Sequence, residues 1–425
     1  MNRRWPAAIA VAAVAWYASD SLRHRREQED GYRLRGDDLD VGTDDFMRAT
    51  EAITAAPIAE GNEVELFING DEIFPAMLET MAGAKRTLNL LSYLYWSGEI
   101  GSEIAAALCE RAKAGVEVNV LLDAVGSAKM DRSLISEMDD AGVTFAYFRP
   151  PKPYAMRRLN NRTHRKLLIV DGEVGMTGGV GIADQWTGNA QDPDHWRDTH
   201  VRVRGPVVRG LQGAFAENWL EATGDVLVGP DHLPELAAAS ADGMPMQVVR
   251  STSNVGDTNV EALYFLAIAC ARSRLWLTSA YFAPRPAFVE ALTDAAERGV
   301  DVRVIVPGEH IDKEIVRQAG RASYDELLEG GVRIFEYAPT MIHAKTLTVD
   351  RAWTSVGSVN FDNRSFQLQD EVTLCVCSPE FAARLDEQFE RDLERSDEIE
   401  PGRWERRSPA ARAREAVTKL ARREL

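Results

Sequence analysis

The chain of 425 residues is long enough to bury a large core and to hold two or three domains. Its formal charge of −17 and pI near 5.0 argue against nucleic acid as the main ligand, because such binding needs a basic footprint. Four cysteines, Cys109, Cys270, Cys375 and Cys377, form neither a CxxC pair nor a ligand cluster; they read as small buried apolar residues, the last two on one strand face.

At the N-terminus, Arg3 and Arg4 precede an apolar run from Trp5 to Ala18, and the basic cluster Arg23-His24-Arg25-Arg26 follows. The run is shorter than the roughly twenty residues that cross a bilayer. It reads best as a short anchor or interfacial helix whose arginines meet anionic head groups. A frayed amphipathic leader, and a signal-peptide core with Ala13-Val14-Ala15 as a weak cleavage motif, are the alternatives. Residues 1–60 are thus a leader and an entry segment.

Two halves with matching grammar follow, 61–228 and 247–400, joined by a linker at 229–246 rich in Asp, Gly, Pro and Ala. In the first half, strand Val64–Ile68 leads to a helix over 71–84 and strand Thr87–Tyr93. Helix Ile100–Ala114, strand Val116–Leu122, a helix ending at Asp140 and strand Val143–Tyr147 complete it. The second half repeats the order: helix 257–271, strand Arg274–Tyr281, helix 286–298, strand Val300–Val306, helix 312–329 and strand Val332–Tyr337. Apolar strands alternating with helices predict an α/β fold with both sheet faces covered. The turns match as well, since Gly115 corresponds to Gly299 and Gly142 to Gly331, each placed to cap a helix before a strand. A charged helical tail occupies 401–425 and reads as solvated surface.

After the third crossover of each half stands the same pattern. His164-Arg-Lys166 is followed by Asp171, and His343-Ala-Lys345 by Asp350, at identical spacing. Each aspartate is followed seven residues on by a small pair, Gly178-Gly179 and Gly357-Ser358, so one local fold is built twice. Period two puts each histidine and its lysine on one strand face. A pseudo-twofold axis between the halves would then gather His164, Lys166, His343 and Lys345 in a single cleft.

Two imidazoles and two ammonium groups suit a phosphodiester anion. The lysines can hold its non-bridging oxygens, while one histidine attacks phosphorus and the other protonates the departing alcohol. The residues do not say which histidine does which. Zinc would want three or four Cys, His or carboxylate ligands and be repelled by the lysines, so neither metal nor cofactor is expected. Each imidazole needs a carboxylate to fix its tautomer; the expectation is Glu371 for His343 and Asp198 for His164. Asp171 and Asp350 are assigned to turn-forming or lysine-orienting support. Asn360, Ser358, Gly179 and Arg364 are candidates for phosphate binding or support, with Asn360 offering an amide donor. His195 and His200 have no repeat partner and are weaker candidates. Tyr93, Tyr95, Trp96, Tyr281 and Phe282 end equivalent strands, either as core or as an apolar rim.

These motifs resemble the phospholipase D superfamily, and more closely bacterial cardiolipin synthases. The resemblance spans roughly residues 62–408. It includes Asp123-Ala-Val-Gly-Ser127, both HxK(x)4D motifs, Trp196-Arg-Asp-Thr-His200 and the run from Gly357 to Ser365. It implies two pseudo-twofold-related phospholipase D-like α/β/α sandwich halves sharing one active-site cleft, and a metal-independent phosphohistidine mechanism with His164 as nucleophile and His343 as general acid. It also implies phosphatidyl transfer between phospholipids, with phosphatidylglycerol as donor and acceptor. The chain departs from the family pattern at Gly181, where asparagine is usual, and at Gln369. One short apolar run stands in place of paired transmembrane helices, so peripheral or short-anchor attachment to the bacterial cell membrane is expected. The expected partners are phospholipids and a membrane surface, not nucleic acid, with a monomer competent for catalysis. Hydrolytic phospholipase D activity or transfer to another alcohol is the alternative, followed by a nucleic-acid phosphodiesterase and a noncatalytic scaffold.

Overall fold

The computed structural model describes residues 32–36, 39–151, 160–253, 257–404 and 406–407. The apolar leader and the tail beyond 407 lie outside the described residues. No helix among the described residues is long and apolar enough to cross a membrane.

The strands of the first half are β1 (Ile58–Ile68), β2 (Thr87–Ser92), β3 (Glu117–Asp123), β4 (Thr144–Phe148), β5 (Arg162–Thr163), β6 (Leu167–Val170), β7 (Val174–Gly178) and β8 (Thr199–Arg204). Those of the second are β9 (Met244–Ser251), β10 (Arg274–Ser279), β11 (Phe282–Ala283), β12 (Asp301–Pro307) and β13 (Arg333–Tyr337). They continue with β14 (Lys345–Val349), β15 (Trp353–Gly357), β16 (Phe361–Asp362), β17 (Gln369–Cys377) and β18 (Ser396–Glu398). In the first half β2, β3 and β4 run parallel, and β6 returns antiparallel to β2 before β7, β8 and β1. The second half repeats this with β10, β12 and β13, then β14, β15, β17 and β9. β1 and β9 pair antiparallel at the centre, so the two sheets fuse into one whose order reads alike from either end. The duplicated α/β organisation expected from the sequence is present, and the fused edge is an addition to it.

Local chemistry explains the element limits. All six residues of β2 and eight of nine in β17 are buried, polar Asn89 and Glu371 included, because the sheet is covered on both faces. Gly115 and Gly299 adopt φ +92° and +93° at matching helix-to-strand turns, where a side chain would be strained. The strand expected to reach Tyr281 ends at Ser279, whose hydroxyl donates to the Tyr281 carbonyl (2.7 Å) and turns the chain. The helix expected over 312–329 is two, Glu314–Arg321 and Tyr324–Glu329. Within the entry segment, helix Asp44–Thr54 packs on the second half, with Phe46 edge-on to Trp353 at 6.0 Å. The four cysteines are free thiols, and Cys375 and Cys377 both face the second-half core.

Candidate active site

The segment leading into each histidine motif crosses to the other half. β5, just ahead of His164, pairs parallel with β17 of the second half, and the His164 N–H donates to the Asp370 carbonyl at 2.8 Å. Reciprocally, Arg197 bridges to Ile342, and the His343 N–H donates to the Arg197 carbonyl at 2.6 Å. Buried arginines hold this exchange. Arg162 pairs with Asp123 at 2.8 Å, Arg197 with Asp392 at 2.8 Å, and Arg165 donates to the carbonyls of Ala214, Ser251 and Glu371.

The exchange decides which carboxylate serves which imidazole, and it corrects the expected pairing. His164 Nδ1 lies 3.0 and 3.1 Å from the Glu371 oxygens, and His343 Nδ1 lies 2.8 Å from Asp198 Oδ2. Asp198 follows His164 in sequence within one half, but the strand crossing hands it to the other histidine. The Ser358 carbonyl, 3.1 Å from His164 Nδ1, and the Asp198 carboxylate beside His343 only accept, so Nδ1 carries the proton in each ring and Nε2 keeps its lone pair.

The two carboxylates are held differently. Glu371 accepts from the Ser358 hydroxyl, and from the Gln369 amide at 3.2 Å in the orientation that also satisfies Arg364. Asp198 accepts from the Thr199 N–H at 2.7 Å and from the Trp186 indole N–H at 2.9 Å. Lys166 Nζ donates to the His164 carbonyl at 2.7 Å, and Lys345 Nζ to that of His343.

Residues at most 5% exposed carry all six of these charges or proton sites, so their mutual fields are poorly screened. Burial, reinforced by Lys166 and Lys345, pushes His164 well below the usual imidazole range. Burial and Lys345 take His343 down to about 3. The lysines fall to about 7 for Lys166 and about 8 for Lys345, chiefly through burial. Glu371 rises to about 7 by burial. Burial pushes Asp198 up too, but His343, Lys345 and the Thr199 N–H outweigh it and hold Asp198 well below the usual carboxylate range.

The remaining candidates divide. Asp171 accepts backbone N–H groups of Lys85, Arg86 and Thr87, and Asp350 those of Arg272, Ser273 and Arg274; both brace the strand end and neither orients a lysine. Gly179 leaves room for Asp198, because a Cβ there would lie 2.2 Å from Oδ1. The Asn360 side-chain oxygen accepts from the Tyr281 N–H at 3.3 Å, and Arg364 donates to Asn160 at 2.6 Å. His195 bonds Asp192, and His200 is buried in β8 with its pKa lowered by burial to about 4. Of the aromatic residues, Tyr93 lies 5.1 Å from His164 and Tyr281 lies 6.4 Å from His343, whereas Tyr95 and Phe282 belong to the core. Sequence reasoning missed Trp186, Arg165 and Arg197. The arginines sit inside motifs already recognised, but nothing in their spacing reports the strand exchange.

Paired imidazole–carboxylate dyads with two ammonium groups, on a duplicated α/β/α frame, define an enzyme of the phospholipase D type. A family model described as "Cardiolipin synthase, PLD-like domain" matches twice, over residues 77–196 and 264–393. "Cardiolipin synthase 2" of Bacillus anthracis is 35% identical over 376 residues, covering 88% of this chain and 73% of that protein. "Cardiolipin synthase A" of Pseudomonas syringae pv. syringae is 35% identical over 356 residues, covering 83% and 73%. Among solved structures, the phosphatidylserine synthase of Haemophilus influenzae shares the fold, with a TM-score of 0.67 at 14% identity over 90% of this chain and all of that one. The chain belongs to the cardiolipin synthase family of the phospholipase D superfamily.

Proposed function

We propose that the protein transfers a phosphatidyl group between two phosphatidylglycerol molecules, giving cardiolipin and glycerol through a phosphohistidine on His164. The observation that carries this reading is the unequal pair of dyads. A nucleophilic imidazole must be neutral, and His164, pressed down by burial beside a Glu371 that is itself raised to about 7, keeps its Nε2 lone pair. Asp198 stays ionised and so favours an imidazolium on His343. Burial and Lys345 oppose that proton; an arriving phosphodiester anion offsets the ammonium charges and lets His343 take it up.

In the first step His164 Nε2 bonds phosphorus, the bond from phosphorus to the glycerol oxygen breaks, and His343 gives its proton to the departing glycerol. In the second, the hydroxyl of another phosphatidylglycerol passes its proton to His343 and attacks phosphorus, which releases His164. Lys166 and Lys345 stabilise charge on the non-bridging oxygens in both steps. Asn360 adds an amide donor to the same oxygens. Both dyads come from one polypeptide, so a single chain suffices for catalysis. The substrates reside in a bilayer, and the basic residues Arg3, Arg4, Arg23, Arg25 and Arg26 of the leader suit attachment to its anionic surface.

Labelled phosphatidylglycerol vesicles test the reading. Cardiolipin with one glycerol released per turnover is the expected outcome. Phosphatidic acid as the main product would make the enzyme a hydrolase, and cleavage of short DNA or RNA without lipid turnover would refute the lipid assignment.

A further inference from the structure

The two halves are not equivalent where they flank the carboxylates. The matched runs Gly178-Gly-Val-Gly181 and Gly357-Ser-Val-Asn360 put Gly181 opposite Asn360. The strand registers Gly178↔His200 and Gly357↔Thr373 likewise put Trp196 opposite Gln369. Two amides on one side are therefore a glycine and an indole on the other. The space at Gly181 is filled by Trp186: a Cβ there would meet its ring at 3.2 Å. Trp186 and Trp196 contact each other edge-on at 4.5 Å. His343 has three aromatic neighbours among the described residues, Trp186 at 5.2 Å, Trp196 at 5.8 Å and Tyr281 at 6.4 Å, against Tyr93 alone for His164.

The geometry points to Trp196, partly exposed beside His343 and backed by the buried Trp186, as the element that selects a lipid alcohol over water as the second nucleophile. This inference rests on the phosphatidyl-transfer reading. His343 is the base that receives the proton of whatever attacks the phosphohistidine, so the surroundings of its ring decide what can stand there. An indole wall offers little to hydrogen-bond a water molecule, while it makes favourable contact with the carbons of a glycerol head group. Water that did attack would pass its proton to His343, displace His164 and leave phosphatidic acid. On the His164 side, amides from Asn360 and Gln369 serve oxygens and carboxylate, and no such exclusion operates.

The test feeds labelled phosphatidylglycerol vesicles to the full chain and to Trp196→Gln, which installs the residue type of the opposite half, with Trp196→Ala as a second variant. The ratio of cardiolipin to phosphatidic acid should fall about tenfold or more in each, because the wall acts on the nucleophile and not on head-group departure. Trp196→Phe should restore most of the ratio, whereas Gln369→Ala should depress both products together. An unchanged ratio in variants that still consume lipid overturns the inference alone, as does a proportional loss of both products. If the unaltered enzyme consumes no phosphatidylglycerol, the reading beneath it fails as well.

Discussion

The crossed pairing of the dyads is most directly tested by Asp198→Asn. Asp198 Oδ2 receives two donors, His343 Nδ1–H at 2.8 Å and the Trp186 indole N–H at 2.9 Å, while Oδ1 takes the Thr199 N–H at 2.7 Å. An amide has one oxygen for these three donors. Either the Thr199 contact or the imidazole contact must be given up, and in the latter case the ring turns to the tautomer with its proton on Nε2, which cannot accept one from an incoming alcohol. A lost charge-assisted hydrogen bond is worth about 1.5–3 kcal/mol, or about 10- to 150-fold in rate. Adding the wrong tautomer takes the expected fall in turnover toward about 10⁴-fold, the scale found when an imidazole–carboxylate pair is altered in this way. The loss should fall on the steps that use His343. With a phosphatidyl ester of p-nitrophenol, whose departure needs no proton, Asp198→Asn should still give a stoichiometric nitrophenol burst and trapped phosphoenzyme in rapid quench. Glu371→Gln should slow the burst itself. A burst lost in Asp198→Asn but kept in Glu371→Gln would mean that the dyads are assigned the wrong way round.

Binding of anionic lipid should weaken as pH rises through about 7 to 8, because Lys166 and Lys345 lose their protons there; below that range both are charged and affinity is full. KM for phosphatidylglycerol measured from pH 6 to 9 checks this, and a flat profile would exclude the lysines as the phosphate holders. Arg165→Met leaves the carbonyls of Ala214, Ser251 and Glu371 without their donor and should cost about 3–5 kcal/mol in urea unfolding. Asp171→Ala, by contrast, orphans three backbone N–H groups far from the chemistry. It should cost about 1–3 kcal/mol of stability with kcat per folded molecule little changed.

Most of the scaffold was legible because its signals are local. Apolar runs, glycine turns and the repeated His-x-Lys spacing each report on a few neighbouring residues, and the structure matches them. Failures arose where the decisive contact is distant in sequence. Asp198 was assigned to His164 because both lie in the first half, yet β5 pairs with β17 and the segment before β14 bridges to Arg197, just ahead of β8, which exchanges the partners. The β1–β9 seam carries no motif, since backbone pairing at a sheet edge asks little of side chains. Gly181 was legible as a departure from the family pattern, but its consequence was not: the ring that replaces the amide arrives from Trp186, five residues further on, and only the folded loop brings it there.

The exchanged strands also constrain how such a molecule can change. Because every reactive ring is buttressed from across the axis, damage to one repeat is inherited by its sibling's histidine, and neither repeat can be retired or re-purposed separately. The difference between the repeats lies in the walls around the dyads, amides on one flank and indoles on the other.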